Sequence, residues 1–386
     1  MRYCKKCVLP DSRPGVELNT DGVCSACVGA REKRELIDWQ GRERALAAVL
    51  KENKASGGQY DCIVPVSGGK DSTWQAYTLK NKYGLKPLAL TYKCKYRTPL
   101  GQKNLDNLID IGVDHIDFTV SPEIERKFML KTLQRNGSVS LVEHMAMWAI
   151  TLKMAVKLGI KLVVWGENPG LEYGGSEKDR GNPYLNHDWI RKYGVTNGTF
   201  AADWADAELT LDELCTFTLP TEAELSDARI KSIFLGWYLR WDPLEVAEFS
   251  RSIGFQWADR PVFGLYPYAD LDCDFIVIHH FFKWYKFGIT RLWDNLAIEI
   301  RNGRLTREEA VHYIKNNPEP IPELQIKNLC AFLNITEERF WQIAESHRNL
   351  DIWQRGSGGP QKGQWYLPAL VEEFGFWPDT YAADVK

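Results

Sequence analysis

The sequence predicts an α/β protein on a doubly wound parallel sheet, with a small N-terminal metal ribbon and a helical C-terminal region. Three observations predict it. Short apolar runs alternate with helix-period segments from residue 60 to 165, and such alternation specifies a parallel sheet. The first run, Cys62 to Val66, breaks into Ser67-Gly68-Gly69-Lys70-Asp71-Ser72 at the start of a helix. Upstream, the pairs Cys4-x-x-Cys7 and Cys24-x-x-Cys27 stand sixteen residues apart.

The 386 residues allow one large domain with appendages. A net charge of −3 argues against a nucleic-acid partner, which calls for a basic face. No apolar run nears the length of a membrane span, and Met1-Arg2-Tyr3-Cys4 opens no signal region, so the expectation is a cytoplasmic protein. Nine cysteines, four in one cluster, suit metal binding in a reducing compartment better than a disulfide frame.

The elements follow in order. Two Cys-x-x-Cys knuckles turn four thiolates inward, and Pro10 to Pro14 and Asn19 to Gly22 supply the turns of a ribbon. Four thiolates leave no open position, so the metal, zinc, is structural: Cys4, Cys7, Cys24 and Cys27 hold it. Residues 28–56 read as one or two amphipathic helices, ended by Ser56-Gly57-Gly58. Strands are expected over 62–66, 86–92, 113–120 and 160–165, and helices over 73–83, 101–111, 123–135 and 141–158. Residues 171–199 have little periodicity and read as a loop region covering a substrate, 203–228 as acidic helix, and Ile230 to Trp241 as a fifth strand. Asp242-Pro243 caps a helix to Ile253, and Asp270-x-Asp272-x-Asp274 precedes an apolar helix, Phe275 to Phe287. Thr306-x-x-Glu309 is a capping box, and the rest is helical before the loop Arg355 to Pro360. This divides the chain into a ribbon (1–30), a helical connector (31–58), a nucleotide domain (59–245) and a mainly helical substrate or partner region (246–386).

The chemistry centres on residues 67–72. Two glycines let main-chain N–H groups converge, and the helix start adds positive potential. Lys70 adds a full charge, and Ser67 and Ser72 add hydroxyls. A Walker loop would need Lys followed by Ser or Thr, whereas Asp71 follows here. Asp71 faces a magnesium ion, braces the loop or only caps the helix. Ligands sit at the carboxyl ends of strands in such sheets, which selects two further places. One is Thr91-Tyr92-Lys93. The other is Gly166-Glu167-Asn168, where Glu167 and Asn168 bind a metal, contact substrate or merely tip a turn. His279, Lys283 and Lys286 share a helix face with His280 beside it, either an anion-binding stripe or a solvated one. Cys62 and Cys94 read as packed thiols.

Ser67 to Ser72 resembles the loop of the PP-loop ATP pyrophosphatases, a HUP-like superfamily that cleaves ATP between its α- and β-phosphates. Added to the cysteine pairs, Gly166-Glu-Asn-Pro-Gly170, Glu172-Tyr-Gly-Gly175, Trp241-Asp-Pro243, Lys283-x-x-Lys286-Phe-Gly288 and the run from Ile300 to Ala310, the chain is similar over residues 3–350 to the bacterial N-acetyl sugar amidotransferases of the WbpG/PseA type. That resemblance implies an ATP- and magnesium-dependent enzyme of surface-polysaccharide (lipopolysaccharide) biosynthesis. Its substrate is a nucleotide-linked or related acetamido sugar, converted to the acetamidino sugar by ammonia from a separate glutaminase subunit. It casts Lys70 and Asp71 as catalytic and Ser67, Gly68, Gly69, Lys70, Asp71, Ser72, Thr91, Gly166, Glu167 and Asn168 as nucleotide-binding. His279-His280 departs from the expected pattern. Two alternatives are a PP-loop tRNA-modifying enzyme, which would favour a cysteine pair outside the ribbon, and a non-catalytic nucleotide-binding scaffold. Oligomeric state is left open.

Overall fold

Antiparallel bridges between Tyr3 and Pro10 and between Leu18 and Cys24 fold the N-terminus back on itself and bring its two cysteine pairs together. The computed structural model describes residues 1–54, 58–357 and 362–377. The Ser56-Gly57 break, part of the loop ending at Pro360 and the last nine residues lie outside that range. Cys24 caps α1 (Ser25–Glu35) and Asp38 caps α2 (Trp39–Asn53), each side chain accepting a first-turn N–H.

The sheet then forms from β1 (Cys62–Pro65), β2 (Pro87–Tyr92), β3 (Asp114–Phe118), β4 (Leu162–Trp165) and β5 (Lys231–Phe234). All pairings are parallel, in the order β3-β2-β1-β4-β5. The period of two sends Ile63, Leu88, Leu90, Val163 and Trp165 into one apolar layer. It sends Cys62, Val64, Ala89, Leu162 and Val164 into the other. Helices cover both faces: α3 (Lys70–Tyr77), which runs on through a π-helical turn to Lys82, α4 (Pro99–Ile109), α5 (Pro122–Asn136) and α6 (Ser140–Leu158). This is the doubly wound architecture that the sequence predicts. Strand order reverses between β1 and β4, which opens a crevice at their carboxyl ends.

Several expectations are corrected beyond β4. Residues 171–199 are not a loose cover. They follow α7 (Pro169–Glu172) and contain α8 (Glu177–Arg180) and α9 (His187–Tyr193), capped by Asn168, Ser176 and Asn186. Trp189 and Ile190 are buried, and Arg180 pairs with Glu32 at 2.9 Å. Residues 203–228 hold two 3₁₀ turns and only a short α10 (Glu222–Asp227). There Asp206 accepts from the N–H groups of Glu208 and Leu209, and Glu213 from that of Thr210, so side chains take backbone donors that a helix would use. The fifth strand stops at Phe234 and turns into α11 (Leu235–Tyr238). Its partner β4 has ended, and Gly236 N donates to Gly166 O at 2.9 Å.

The C-terminal region comprises α12 (Pro243–Ser252), α13 (Phe275–Phe287), α14 (Arg291–Arg301), α15 (Arg307–Asn316), α16 (Glu323–Leu333), α17 (Glu337–Ser346) and α18 (Pro368–Phe374). A two-stranded hairpin, Gln354–Arg355 with Trp365–Tyr366, interrupts it where loop alone was expected. Helix α13 is buried through Phe275, Ile278, Phe281 and Phe282, in the same apolar layer as α6. No helix among the described residues is long and apolar enough to cross a membrane.

Candidate active site and metal centre

The loop after β1 is shaped by Gly68, which has φ +88° and lies so close to α4 that a Cβ would stand 2.8 Å from Leu105 N and 2.9 Å from Gly101 O. Only glycine fits both demands. Gly69 caps α3, leaving the N–H groups of Lys70, Asp71 and Ser72 without intrahelical acceptors at the positive end of the helix. The Ser72 and Thr73 hydroxyls turn back to Gly69 O, both at 3.0 Å, so Ser72 is not the outward donor expected. Ser67 is exposed at the tip and beside the Asp272 carboxylate. Asp71 is braced from two sides, by the Lys70 ammonium and by Trp241 Nε1 at 2.7 Å. Lys70 Nζ also lies 5.5 Å from the Trp241 ring, and Ser250 of α12 donates to Lys70 O at 2.8 Å. Trp241, read as the end of a strand and as part of a resemblance motif, is therefore part of the site.

Glu167 reaches the loop at the end of β4. Burial, and then the Asp71 charge, push its carboxyl up to about 7. Gly166 borders the same space, with Asp71 and Gln75 as its neighbours. Thr91 and Asn168 are placed differently. Thr91 is buried, donates to Val66 O at 2.7 Å and lies 2.8 Å from His115 Nε2, tying three strands together. Asn168 is fully buried, caps α7 and donates to Asn182 O at 3.2 Å. Both are spent on the scaffold.

The facing wall comes from residues 270–294. Asp270 is left-handed, with φ +58°, and pairs with Arg291 at 2.9 Å and His280 at 3.5 Å. Asp294 takes Arg13 at 2.6 Å and Lys283 at 2.9 Å. Burial pushes both carboxyls up, and Arg291 at Asp270 and Arg13 and Lys283 at Asp294 override it and hold them well below the ordinary range. Tyr173 lies among Glu167, Arg291 and Asp71, and its main-chain oxygen accepts from Arg13 at 3.3 Å. The expected histidine–lysine stripe is corrected. Lys286 caps the end of α5 through Asn136 O and Gly137 O, both at 3.1 Å. Lys283 is buried in its ion pair, and burial and the Lys283 charge hold His279 and His280 neutral, His280 at about 4. Sequence reasoning missed Arg13, Glu143, Arg291 and Asp294. The visible signals on this wall were the Asp270–Asp274 cluster and the run from His279 to Gly288.

The ribbon cysteines converge as expected. Cys4 and Cys27 sulfurs are 4.0 Å apart and those of Cys7 and Cys24 are 3.7 Å apart. Four sulfurs about 2.3 Å from a tetrahedral ion would stand about 3.8 Å from one another, so the set fits one metal ion. Main-chain N–H groups of Lys6, Cys7 and Cys24 point at Cys4 Sγ at 3.3–3.4 Å. Arg307 holds the carbonyls of Cys4 and Cys7 at 3.3 and 3.1 Å.

Cys94 corrects its reading as a packed thiol. It is joined to Cys273, 179 residues away. Cys273 Sγ is 3.5 Å from Glu143 Oε1. Burial and the charges of Glu125 and Asp272 raise Glu143 to about 8, and Tyr92 donates to Glu125.

With this geometry in place, the chain can be set beside known proteins. Residues 261–366, which supply most of the facing wall, match the family described as LPS biosynthesis protein WbpG-like, C-terminal domain. The uncharacterized protein MJ1599 of Methanocaldococcus jannaschii is 27% identical over 167 residues, spanning 37% of this chain and 58% of that relative. Among solved structures, the NH3-dependent NAD synthetase of Campylobacter jejuni is 17% identical, with a TM-score of 0.29, over 37% of this chain and 64% of the other. NMN synthetase of Francisella tularensis is 16% identical, with a TM-score of 0.26, over 59% of this chain and all of the other. The U34-tRNA thiolase NcsA of Methanococcus maripaludis, solved with its [4Fe-4S] cluster, is 12% identical, with a TM-score of 0.32, over 86% and 89%.

Proposed function

We propose that the protein is an ATP-dependent amidotransferase that converts the acetamido group of a nucleotide-linked or related sugar to an acetamidino group. The observation that carries this reading is the pairing of the Ser67–Ser72 loop with a facing wall drawn from the WbpG-like region, which meet where Asp272 lies against Ser67. An amide oxygen is a poor leaving group, and adenylylation corrects that. The amide oxygen attacks the α-phosphorus of ATP, and the bond to the β-phosphate breaks to release pyrophosphate. The resulting O-adenylyl imidate is attacked at carbon by ammonia, AMP departs with the oxygen, and the amidine remains.

The converging N–H groups of Lys70, Asp71 and Ser72 and the Lys70 ammonium, released from Asp71, hold the departing pyrophosphate. Asp71 and Glu167, near enough for one charge to lift the other, would hold magnesium, which supplies positive charge to the phosphates when bound. The ribbon sulfurs would hold a structural zinc ion. Ammonia comes from a separate glutaminase.

One observation favours a second reading. Cys94 and Cys273 are a cysteine pair outside the ribbon and beside the loop, as a sulfur-inserting tRNA-modifying enzyme would need. The net charge of −3 opposes it. The test is to incubate the protein with ATP, magnesium and ammonium and add either nucleotide-linked acetamido sugars or tRNA. Sugar-dependent release of AMP and pyrophosphate, with a one-dalton loss in sugar mass as oxygen is replaced by NH, is expected. Release that depends on tRNA instead overturns the sugar reading.

A further inference from the structure

We propose that Cys94, Cys273 and Glu143 form a second metal site, distinct from the ribbon, that takes one thiophilic divalent ion when the two cysteines are reduced. It goes beyond the ATP chemistry and does not depend on it. The two sulfurs and a Glu143 oxygen all lie within 4.8 Å of one another. Their spacing does not rest on the bond between the sulfurs. Thr98 N donates to Asp272 O and Asp274 N to Tyr96 O, both at 3.1 Å, and Arg97 bridges to Cys273, so the backbone holds the two segments together. Reduction therefore leaves two thiols facing one carboxylate in a built chelate.

The charge balance points the same way. Glu125, Glu143 and Asp272 are packed within reach of each other's charge. Among the described residues no salt bridge reaches any of the three. Of the two nearby cations, Lys95 acts on Glu125 without a salt bridge, and Arg97 is already forked onto Asp117 at 2.7 Å through both terminal nitrogens. A bound cation would supply the missing positive charge. Two sulfurs and one oxygen select a zinc-like ion over magnesium or calcium, which prefer all-oxygen shells. Three protein ligands leave one position open, unlike the closed set in the ribbon. Asp272, next to Cys273, touches Ser67, which sets the three donors close to the nucleotide loop.

The redox step balances with a dithiol as reductant. Thiol–disulfide exchange breaks the Cys94–Cys273 bond, passes two electrons and two protons to the cysteines and leaves the reductant as its cyclic disulfide. Metal binding then releases the two thiol protons to solvent.

The full chain is reduced with dithiothreitol without oxygen, freed of reductant, loaded with zinc and desalted, and its metal is counted by elemental analysis. Two zinc ions per chain are expected after reduction and one when the Cys94–Cys273 bond is kept. Cys94→Ser and Cys273→Ser should hold one under both conditions, and Cys4→Ser should keep the redox-dependent ion. Glu143→Gln leaves both sulfurs in place and should weaken the second ion at least tenfold with unchanged circular dichroism. Cobalt in place of zinc should add a second set of thiolate charge-transfer bands in the reduced wild type only. A reduced wild type that stops at one ion, or a second ion that survives Cys94→Ser, overturns the proposal.

Discussion

The ribbon and the cleft solve opposite charge problems. In the ribbon four thiols meet with sulfurs 3.7–4.0 Å apart, approached by main-chain N–H groups, with the buried Arg301 as the cation within reach of their charge. In the cleft three carboxylates have their own cations: Asp71 has Lys70, Asp270 has Arg291, and Asp294 has Arg13 and Lys283. The ribbon is therefore arranged to take an ion, whereas these ion pairs brace the cleft through its own side chains. The two regions touch through Arg13, rooted in the ribbon and bonded to Asp294, while Arg307 of α15 ties the ribbon to the C-terminal helices.

The sharpest way to break this contrast is to remove the ribbon metal. Structural zinc contributes roughly 10–16 kcal/mol to the folding of small ribbons. Chelation, or Cys7→Ser, should unfold residues 1–24 and lower the melting temperature by more than any change in the cleft, while the far-UV signal of the sheet persists. Tyr3 stacks on Trp293 at 5.8 Å, so tryptophan fluorescence should report the loss directly. A chelated protein that melts like the loaded one would show that the sulfurs need no ion.

The next largest effect belongs to Asp294, whose side chain is 2% exposed between two cations. Asp294→Ala strands Arg13 and Lys283 together in a buried space and should cost about 3–5 kcal/mol, read as a drop in the denaturant midpoint. Arg13→Ala should cost less, because Lys283 keeps its partner. Equal losses would mean that the ribbon, not the ion pair, carries Arg13's contribution.

What could be read from sequence follows the same division. Ribbon ligands and loop residues are specified by spacing within a few residues: two Cys-x-x-Cys pairs, and two glycines before a lysine. Strand positions were legible because β1, β2 and β4 are apolar runs bounded by turn residues. The facing wall was not, because Asp270, Arg291 and Asp294 become neighbours of Arg13 and Glu167 only through contacts some 100 to 280 residues long. Nothing local distinguishes Glu143 or Cys94 from an ordinary helix carboxylate or a packed thiol until β2 and α13 bring them together. The acidic stretch 203–228 failed for another reason: its composition favours helix, but its aspartates and threonines bond their own backbone.

Lys70 separates chemistry from scaffold. Lys70→Ala removes the one full positive charge of the loop and should lower turnover about 100- to 1000-fold, measured as pyrophosphate release, with zinc content unchanged. Its effect on melting should be small beside that of Asp294→Ala, since Asp71 keeps the bond from Trp241. A Lys70→Ala protein with normal turnover would remove the loop from the mechanism.

The smallest effect is in pH, and it tests whether Glu167 belongs to the cleft's balance. Burial and the Asp71 charge raise its carboxyl to about 7, and burial raises Glu319, whose Oε2 has no partner, to about 7 as well. An ordinary glutamate in the unfolded chain titrates near 4.3. Between those values the folded chain binds more protons than the unfolded one, so this contribution to stability is complete below the unfolded value and is lost as pH rises through 7. The melting temperature should therefore fall between pH 5.5 and 8, and Glu167→Gln should flatten that slope by roughly 1–3 °C. Glu319→Gln, which loses a group bonded to Gly264 N at 2.7 Å and away from the loop, should flatten it similarly without altering nucleotide binding. Only the Glu167 variant should change both slope and nucleotide affinity, and a variant that changes neither would place Glu167 outside the site.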